Sequence, residues 1–245
     1  MSILGIIPAR YASTRFPGKP LVLINGKSMI QRVYEQAEKS ESLAEVIVAT
    51  DDERIHTHVQ NFGGKAIFTA AEHQSGTDRC FEAYQQHDRT FTHVINIQGD
   101  EPFIKPEQID LLASCLQNPH TQLATLIKKI ASAEELFNPN SPKVILNKAG
   151  EAIYFSRHPI PYCRNIPNDI WHRQHQYYKH IGIYAYRTDI LEQITQLPPS
   201  SLELAESLEQ LRWIENGFRI ATAVTAFETF GIDTPEDLQK VEGME

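Results

Sequence analysis

The sequence predicts an α/β fold, a parallel sheet with helices on both faces, and three observations carry that expectation. Short β-branched runs recur at Ile3 to Ile7, Val46 to Ala49, Ala66 to Thr69 and Val94 to Ile97. Each precedes a segment with apolar residues three and four apart, the spacing of a half-buried helix. A chain of 245 residues, 41% hydrophobic, is long enough to bury one substantial core, so we expect a single domain over residues 1–245. The resulting βαβ rhythm implies parallel strands covered above and below.

The elements follow in order. The first strand runs into a basic loop, Pro8 to Pro20, and then a helix over Ser28 to Lys39. A helix over Glu53 to Phe62 has Asp52 available as its cap, one over Thr77 to His87 has Ser75 to Thr77, and one over Pro106 to Leu116 has proline at a first-turn position. Beyond residue 120 the rhythm loosens. Leu123 to Ile130, Val144 to Leu146, Ala152 to Phe155 and His180 to Tyr186 read as strands joined by longer, proline-containing loops, with some antiparallel pairing expected. Turn residues are densest in Asn138 to Pro142 and Pro159 to Tyr178. The length of the second points to a flap or subunit contact, within a subregion around 150–190. Leu202 to Glu215 reads as one amphipathic helix with Leu204, Leu208, Leu211 and Ile214 on its apolar face.

Bulk composition excludes several classes. A net charge of −8 argues against a long nucleic acid partner, whose capture needs many Lys and Arg contacts. No stretch approaches the roughly 18 to 20 apolar residues that span a bilayer, and Met1 to Leu4 leads into a strand without a signal-peptide pattern, so a cytoplasmic location is expected. Cys80, Cys115 and Cys163 are odd in number and widely spaced, which implies free thiols. His56 and His58 lie two apart on a helix and point away from each other, while His172 and His175 sit in a polar loop; neither pair suits zinc.

Four groups of residues can carry chemistry. In the first loop Arg10, Arg15 and Lys19 converge with the hydroxyls of Ser13 and Thr14, at the end of a strand that feeds a helix. Such a place adds backbone N–H groups and the helix dipole to side-chain charge and suits a polyphosphate. Arginine grips phosphate oxygens in pairs, whereas lysine is a point charge that can follow developing negative charge. Neither Gly18-Lys19-Pro20 nor Gly26-Lys27-Ser28, with Leu21 where the first glycine belongs, makes a P-loop, and Gly-x-Gly-x-x-Gly is absent. A solvated basic turn is the bland alternative. Second, Asp100 stands at the carboxyl end of a buried strand, a ligand position in open α/β sheets. Mg2+ takes one or two carboxylates and completes its shell with phosphate and water, and Asp233 is the best second acid, although either could cap a helix. Third, His73 to Arg79, which contains Gln74, Ser75 and Gly76, could read a base or ribose or simply cap a helix. Fourth, Arg157, Arg164, His180, Tyr184, Glu209 and Gln210 together suit an acidic polyol, though each alone fits surface or core.

At these residues the chain resembles the 3-deoxy-manno-octulosonate (Kdo) cytidylyltransferases, or CMP-Kdo synthetases. Similar blocks run from end to end in family order: Pro8 to Pro20, His73 to Arg79, Asn96 to Pro102, Tyr154 to Arg157, His180 to Tyr184, Leu208 to Arg212 and Gly231 to Asp237. Asn165 to Tyr177 and Ala226 to Phe230 depart from the pattern. The resemblance implies a Rossmann-like nucleotidyltransferase (GT-A-like) three-layer sandwich with a mostly parallel mixed sheet. It also implies conversion of CTP and Kdo to CMP-Kdo and pyrophosphate, with Mg2+, in a cytoplasmic homodimer serving lipopolysaccharide assembly. By carry-over, Arg10, Ser13, Arg15 and Lys19 hold the triphosphate; Gln74 with the Ser75, Gly76 and Thr77 loop faces the nucleotide; Asp100 and Asp233 hold the metal; Lys19, Asp100 and Asp233 are the catalytic set. Gln98, Arg157, Arg164, His180, Tyr184, Glu209 and Gln210 surround Kdo.

Rival readings differ at defined residues. Sialic acid cytidylyltransferases show Gly-Gly-Ser-Lys-Gly where this chain has Tyr11 to Arg15, and aldose-1-phosphate nucleotidyltransferases show Gly-x-Gly-Thr-Arg. An 8-amino analogue of Kdo differs by one local charge and stays open. A non-catalytic nucleotide-binding module would need the basic cradle but not both aspartates.

Overall fold

Strand β1 (Ile3–Ala9) is the centre of the sheet, and in the computed structural model, which describes residues 1–12 and 16–241, it is buried along almost all its length. A 3₁₀ turn (Lys19–Leu21) and a small hairpin, β2 (Leu23–Ile24) with β3 (Lys27–Ser28), lead to α1 (Met29–Ala37). Then come β4 (Glu45–Thr50), α2 (Glu53–Asn61), β5 (Ala66–Phe68), α3 (Gly76–Gln85), β6 (His93–Asn96) and α4 (Pro106–Cys115). The expected caps form. Ser28, Asp52 and Ser75 each accept a first-turn amide, from Gln31, Arg54 and Asp78 respectively.

The second half runs β7 (Leu123–Lys129), α5 (Ala133–Phe137), β8 (Lys143–Leu146), β9 (Ala152–Ser156), α6 (Trp171–Gln174), β10 (Tyr178–Arg187), α7 (Thr188–Thr195), α8 (Ser201–Glu206), α9 (Gln210–Glu215), β11 (Ile220–Val224) and α10 (Pro235–Val241). Among the described residues the main sheet has nine strands, ordered β11-β7-β10-β6-β1-β4-β5, with the β8–β9 hairpin attached to β10. Pairing is parallel for β1 with β4 and β6, for β4 with β5 and for β11 with β7; β10 alone runs against its neighbours in that order. The sheet is therefore mixed and mostly parallel.

Alternation along β1 builds three layers. Ile3 and Ile7 pack with Ile30, Val33, Val59, Ile109 and Leu112 of α1, α2 and α4 on one face. Leu4 and Ile6 pack with Cys80, Ala83, Ile190, Leu191 and Trp213 of α3, α7 and α9 on the other. All three cysteines are free thiols, and His56 stacks on Phe68 while His58 Nε2 lies 2.7 Å from Ser28 Oγ, so neither imidazole is turned to a shared ion.

One expectation is corrected. Leu202 to Glu215 is two helices, α8 and α9, broken at Ser207, whose φ is +52°. Leu208 and Leu211 are buried as expected, but Leu204 is 70% exposed. The break turns two backbone carbonyls outward, and Arg157 captures both, Nε donating to Glu206 O at 2.7 Å and Nη2 to Ser207 O at 3.2 Å. Arg212 ties the halves together through Glu203, Nε to Oε2 at 2.7 Å. The strand β11, the helix α7 and the β2–β3 hairpin are additions to the sequence reading; β11 carries only Ile220 and Val224 as large apolar residues, too thin a pattern to stand out.

Candidate active site

From β1 the chain winds outward through β4 and β5, then returns to place β6 on the other side of β1. Loops leaving the carboxyl ends of β1 and β6 diverge at this switch point, and open α/β sheets bind ligands in the resulting crevice. A cleft of about 230 Å³ opens there. Gly99 lets the loop after β6 lie against the end of β1: a Cβ there would meet Pro8 O at 2.9 Å.

The basic loop is shaped by Gly18, which has φ +72° and donates its amide to Tyr11 O at 2.9 Å. Lys19 then starts the 3₁₀ turn with Pro20 inside it, and Lys19 lines the cleft. Its ammonium sits between the two predicted acids, 2.8 Å from Asp100 Oδ2 and 3.1 Å from Asp233 Oδ1. Arg10 lines the rim and is exposed. Ser13 and Arg15 lie outside the described residues.

The opposite wall is the start of α3. Ser75 and Gly76 line the cleft at the positive end of that helix, and Gln74 beside them donates from Nε2 to Glu72 O at 2.8 Å. Two wall residues are the ends of the His73 to Arg79 segment, to which the sequence reading gave no individual role. Arg79 is buried, donating from Nη1 to Thr69 Oγ1 at 2.6 Å and lying 3.2 Å from Asp51, and His73 pairs with Glu82. A guanidinium in a helix's first turn opposes the dipole, and that mismatch was a readable hint that Arg79 serves another partner.

Asp233 owes its place to the backbone of Ile232, whose N–H donates to Asp100 O at 2.9 Å. Helix capping falls to its neighbours: Thr234 Oγ1 accepts from the Asp237 amide at 3.3 Å, and Asp237 Oδ2 accepts from the Thr234 amide at 3.1 Å. The Asp233 carboxylate is thus turned toward Lys19 rather than used as a cap. No group of three or more His, Cys, Asp or Glu among the described residues could hold a metal. Two carboxylates meeting on one cation fit a hard ion that draws its other ligands from phosphate and water, as Mg2+ does, and do not fit zinc. Glu101 adds little negative charge, because burial and then Asp100 push its carboxyl up to about 8.

The residues assigned to the sugar divide. Gln98 lines the cleft and its side chain packs over Gly182 of β10. On β10, His180 contacts Tyr184, ring centroids 5.1 Å apart, and Tyr184 contacts Trp213 at 5.0 Å. Glu209 accepts from Thr77 Oγ1 at 2.7 Å, which ties α9 to the first turn of α3. Burial raises the Glu209 carboxyl, opposed by the Thr77 and Ser75 hydroxyls. Tyr184 Oη and Gln210 Nε2 are buried with no hydrogen-bond partner among the described residues, and His180, Tyr184, Glu209 and Gln210 are not part of the cleft lining. Arg157 stands apart, its guanidinium donating to the carbonyls of Glu206, Ser207 and Pro139. Arg164 is exposed in the segment before α6, outside the cleft lining.

Residues 4–220 match the cytidylyltransferase family. A 3-deoxy-manno-octulosonate cytidylyltransferase from Cytophaga hutchinsonii is 64% identical over 242 residues, covering 98% of this chain and 96% of the relative. The chain belongs to the 3-deoxy-manno-octulosonate cytidylyltransferase family. A further member, from Thermodesulfovibrio yellowstonii, is 49% identical over 99% of this chain and 97% of its own length. A solved structure of CMP:2-keto-3-deoxy-manno-octonic acid synthetase complexed with CTP superposes with a TM-score of 0.91 at 47% identity, over 100% of this chain and 98% of that one. The family resemblance read from the motifs and the α/β nucleotidyltransferase fold are thereby borne out.

Proposed function

We propose that this member of the Kdo cytidylyltransferase family transfers CMP from CTP to the anomeric hydroxyl of Kdo and releases pyrophosphate. The carrying observation is Lys19 held between Asp100 and Asp233 at the sheet's switch point, facing the start of α3. In the reaction the sugar hydroxyl forms a new bond to the α-phosphorus and gives up its proton to solvent, while the bond to the bridging oxygen breaks and its electron pair departs with pyrophosphate. Catalysis therefore reduces to placing the two reactants and neutralising charge on the transferring and leaving groups.

Lys19, with Arg10 at the rim, supplies fixed positive charge for the phosphates, and Ser75 and Gly76 present the helix start to the nucleotide. Asp100 and Asp233 would hold Mg2+, which when bound offsets negative charge on the phosphate oxygens. Gln98, His180, Tyr184, Glu209 and Gln210 orient the sugar acid. The paired acids favour turnover over mere nucleotide binding. We further propose a cytoplasmic homodimer that supplies lipopolysaccharide assembly and uses the 150–190 subregion as flap and subunit contact; the absence, among the described residues, of any helix long and apolar enough to cross a membrane is compatible with that reading.

Pyrophosphate release measured across CTP and UTP, and across Kdo, its 8-amino analogue and sialic acid, tests the reading. Release is expected with CTP and Kdo, to fall at least a hundredfold in Asp100→Asn, in line with loss of transition-state charge stabilisation. Release with the amino analogue alone would reassign the acceptor. No release with any pair would leave a binding module.

A further inference from the structure

We propose that Thr77 is a positioning residue that holds the Glu209 carboxylate for the acceptor sugar and so joins the nucleotide wall to the acceptor wall. This rests on the cytidylyltransferase reading above and names a residue that reading leaves within the nucleotide loop.

Thr77 occupies the first turn of α3, directly after Ser75 and Gly76 of the cleft, yet its own side chain is 2% exposed and turned away from the crevice opening. A threonine there ordinarily spends its hydroxyl on nearby backbone. Here Oγ1 instead donates at 2.7 Å to Glu209 Oε2, a residue far along the chain at the start of α9. The Ser75 hydroxyl favours the same carboxylate. A buried carboxyl group needs such donors, and a bond of this length fixes its orientation.

Near Glu209 several buried polar atoms have no hydrogen-bond partner among the described residues. Gln210 Nε2, Tyr184 Oη and Trp213 Nε1 are buried and unsatisfied among the described residues, and the Tyr184 and Trp213 rings touch at 5.0 Å. The functional reading places the acceptor's hydroxyls on this group of residues, and Glu209 is the carboxyl among them. Its aim is fixed from outside that set, by the helix that lines the nucleotide cleft. Removing the Thr77 hydroxyl should therefore disturb sugar recognition while leaving the nucleotide site built.

The experiment is a steady-state comparison of wild type, Thr77→Val, Thr77→Ser, Glu209→Gln and the Thr77→Val/Glu209→Gln double variant, with CTP affinity measured separately by calorimetry. Loss of one bond to a charged group predicts a rise of about ten- to a hundredfold in KM for Kdo in Thr77→Val, with CTP affinity within about twofold of wild type. Thr77→Ser should restore most of the loss, and the Thr77→Val effect should largely vanish in the Glu209→Gln background, because the two act through one bond. Equal losses toward CTP and Kdo, or an undiminished Thr77→Val effect without the carboxylate, overturn the proposal. If Thr77→Val fails to fold, Thr77→Ala, which adds no methyl group in place of the hydroxyl, carries the same comparison. Wild-type pyrophosphate release from CTP and Kdo separates the two levels: without it the functional reading fails, and with it a Thr77→Val enzyme of unchanged KM sinks only the positioning role.

Discussion

Thr125 Oγ1 has a single proton and three polar neighbours: Ile183 O at 2.8 Å, Ile181 O at 3.1 Å and His180 Nε2 at 3.0 Å. The shortest contact is to Ile183 O, which only accepts, and with the hydroxyl proton placed there Oγ1 accepts from Nε2–H of His180. Nδ1 is then left as the imidazole's acceptor, suited to a sugar hydroxyl. Burial pushes this imidazole down to about 3, so it stays neutral wherever the enzyme works. Nitrogen NMR should show the Nε2–H tautomer with no titration between pH 5 and 8; a midpoint near 6.5 would contradict the assignment. The sign for stability follows from linkage. The unfolded imidazole takes a proton near pH 6.5 and the folded one only near 3, so this contribution is complete above about pH 6.5 and is lost as pH falls from there. Urea midpoints of His180→Gln should accordingly fall less steeply with acid than those of wild type.

At the scale of elements, the alternation of strands and helices in the first half was legible because each βαβ unit writes its own period and cap; Ser28, Asp52, Ser75 and Pro106 all stand where the sequence marks a helix start. Leu202 to Glu215 was misread for a related reason. Periodicity places Leu208, Leu211 and Ile214 correctly but is blind to a single left-handed residue, and Ser207 breaks the helix without glycine or proline to announce it. The same blindness hid the work of Arg157. Its block resembles the family's, but the guanidinium serves the carbonyls at the break and at Pro139, a role set by tertiary contact alone. Arg157→Lys keeps the charge but loses the planar fork. It should lower unfolding free energy by about 1–3 kcal/mol, the range for bonds from a charged donor, while CTP affinity by calorimetry changes little. A stable variant that loses only sugar affinity would return Arg157 to the acceptor site.

Across the whole molecule, the pairing of Asp100 with Asp233 was available from the sequence only as a guess about a second acid, because the contact is made by a strap and not by neighbouring elements. From β11 at the edge of the sheet, residues 225–233 cross back over β7 and β10 to the end of β6. The Thr225 amide donates to Ile127 O at 2.9 Å, and Lys128 on β7 and Lys179 on β10 both grip Glu228 on the way, with Lys179 also 2.6 Å from Glu135. Ile232 then buries itself with Ile24, Met29 and Val241 and bonds to Asp100 through its backbone. The Glu228 ion pairs thus anchor the strap that hangs Asp233 over Lys19. Glu228→Ala should cost only about 1 kcal/mol of global stability, as half-exposed ion pairs do. Its larger effect should fall on the Mg2+ concentration needed for half-maximal pyrophosphate release, which should rise several-fold, while hydrogen exchange of the 226–233 amides quickens. Added salt should move wild type toward the variant, since screening weakens the same pairs. An unchanged Mg2+ requirement with faster exchange would show that Ile232 alone holds Asp233 in place.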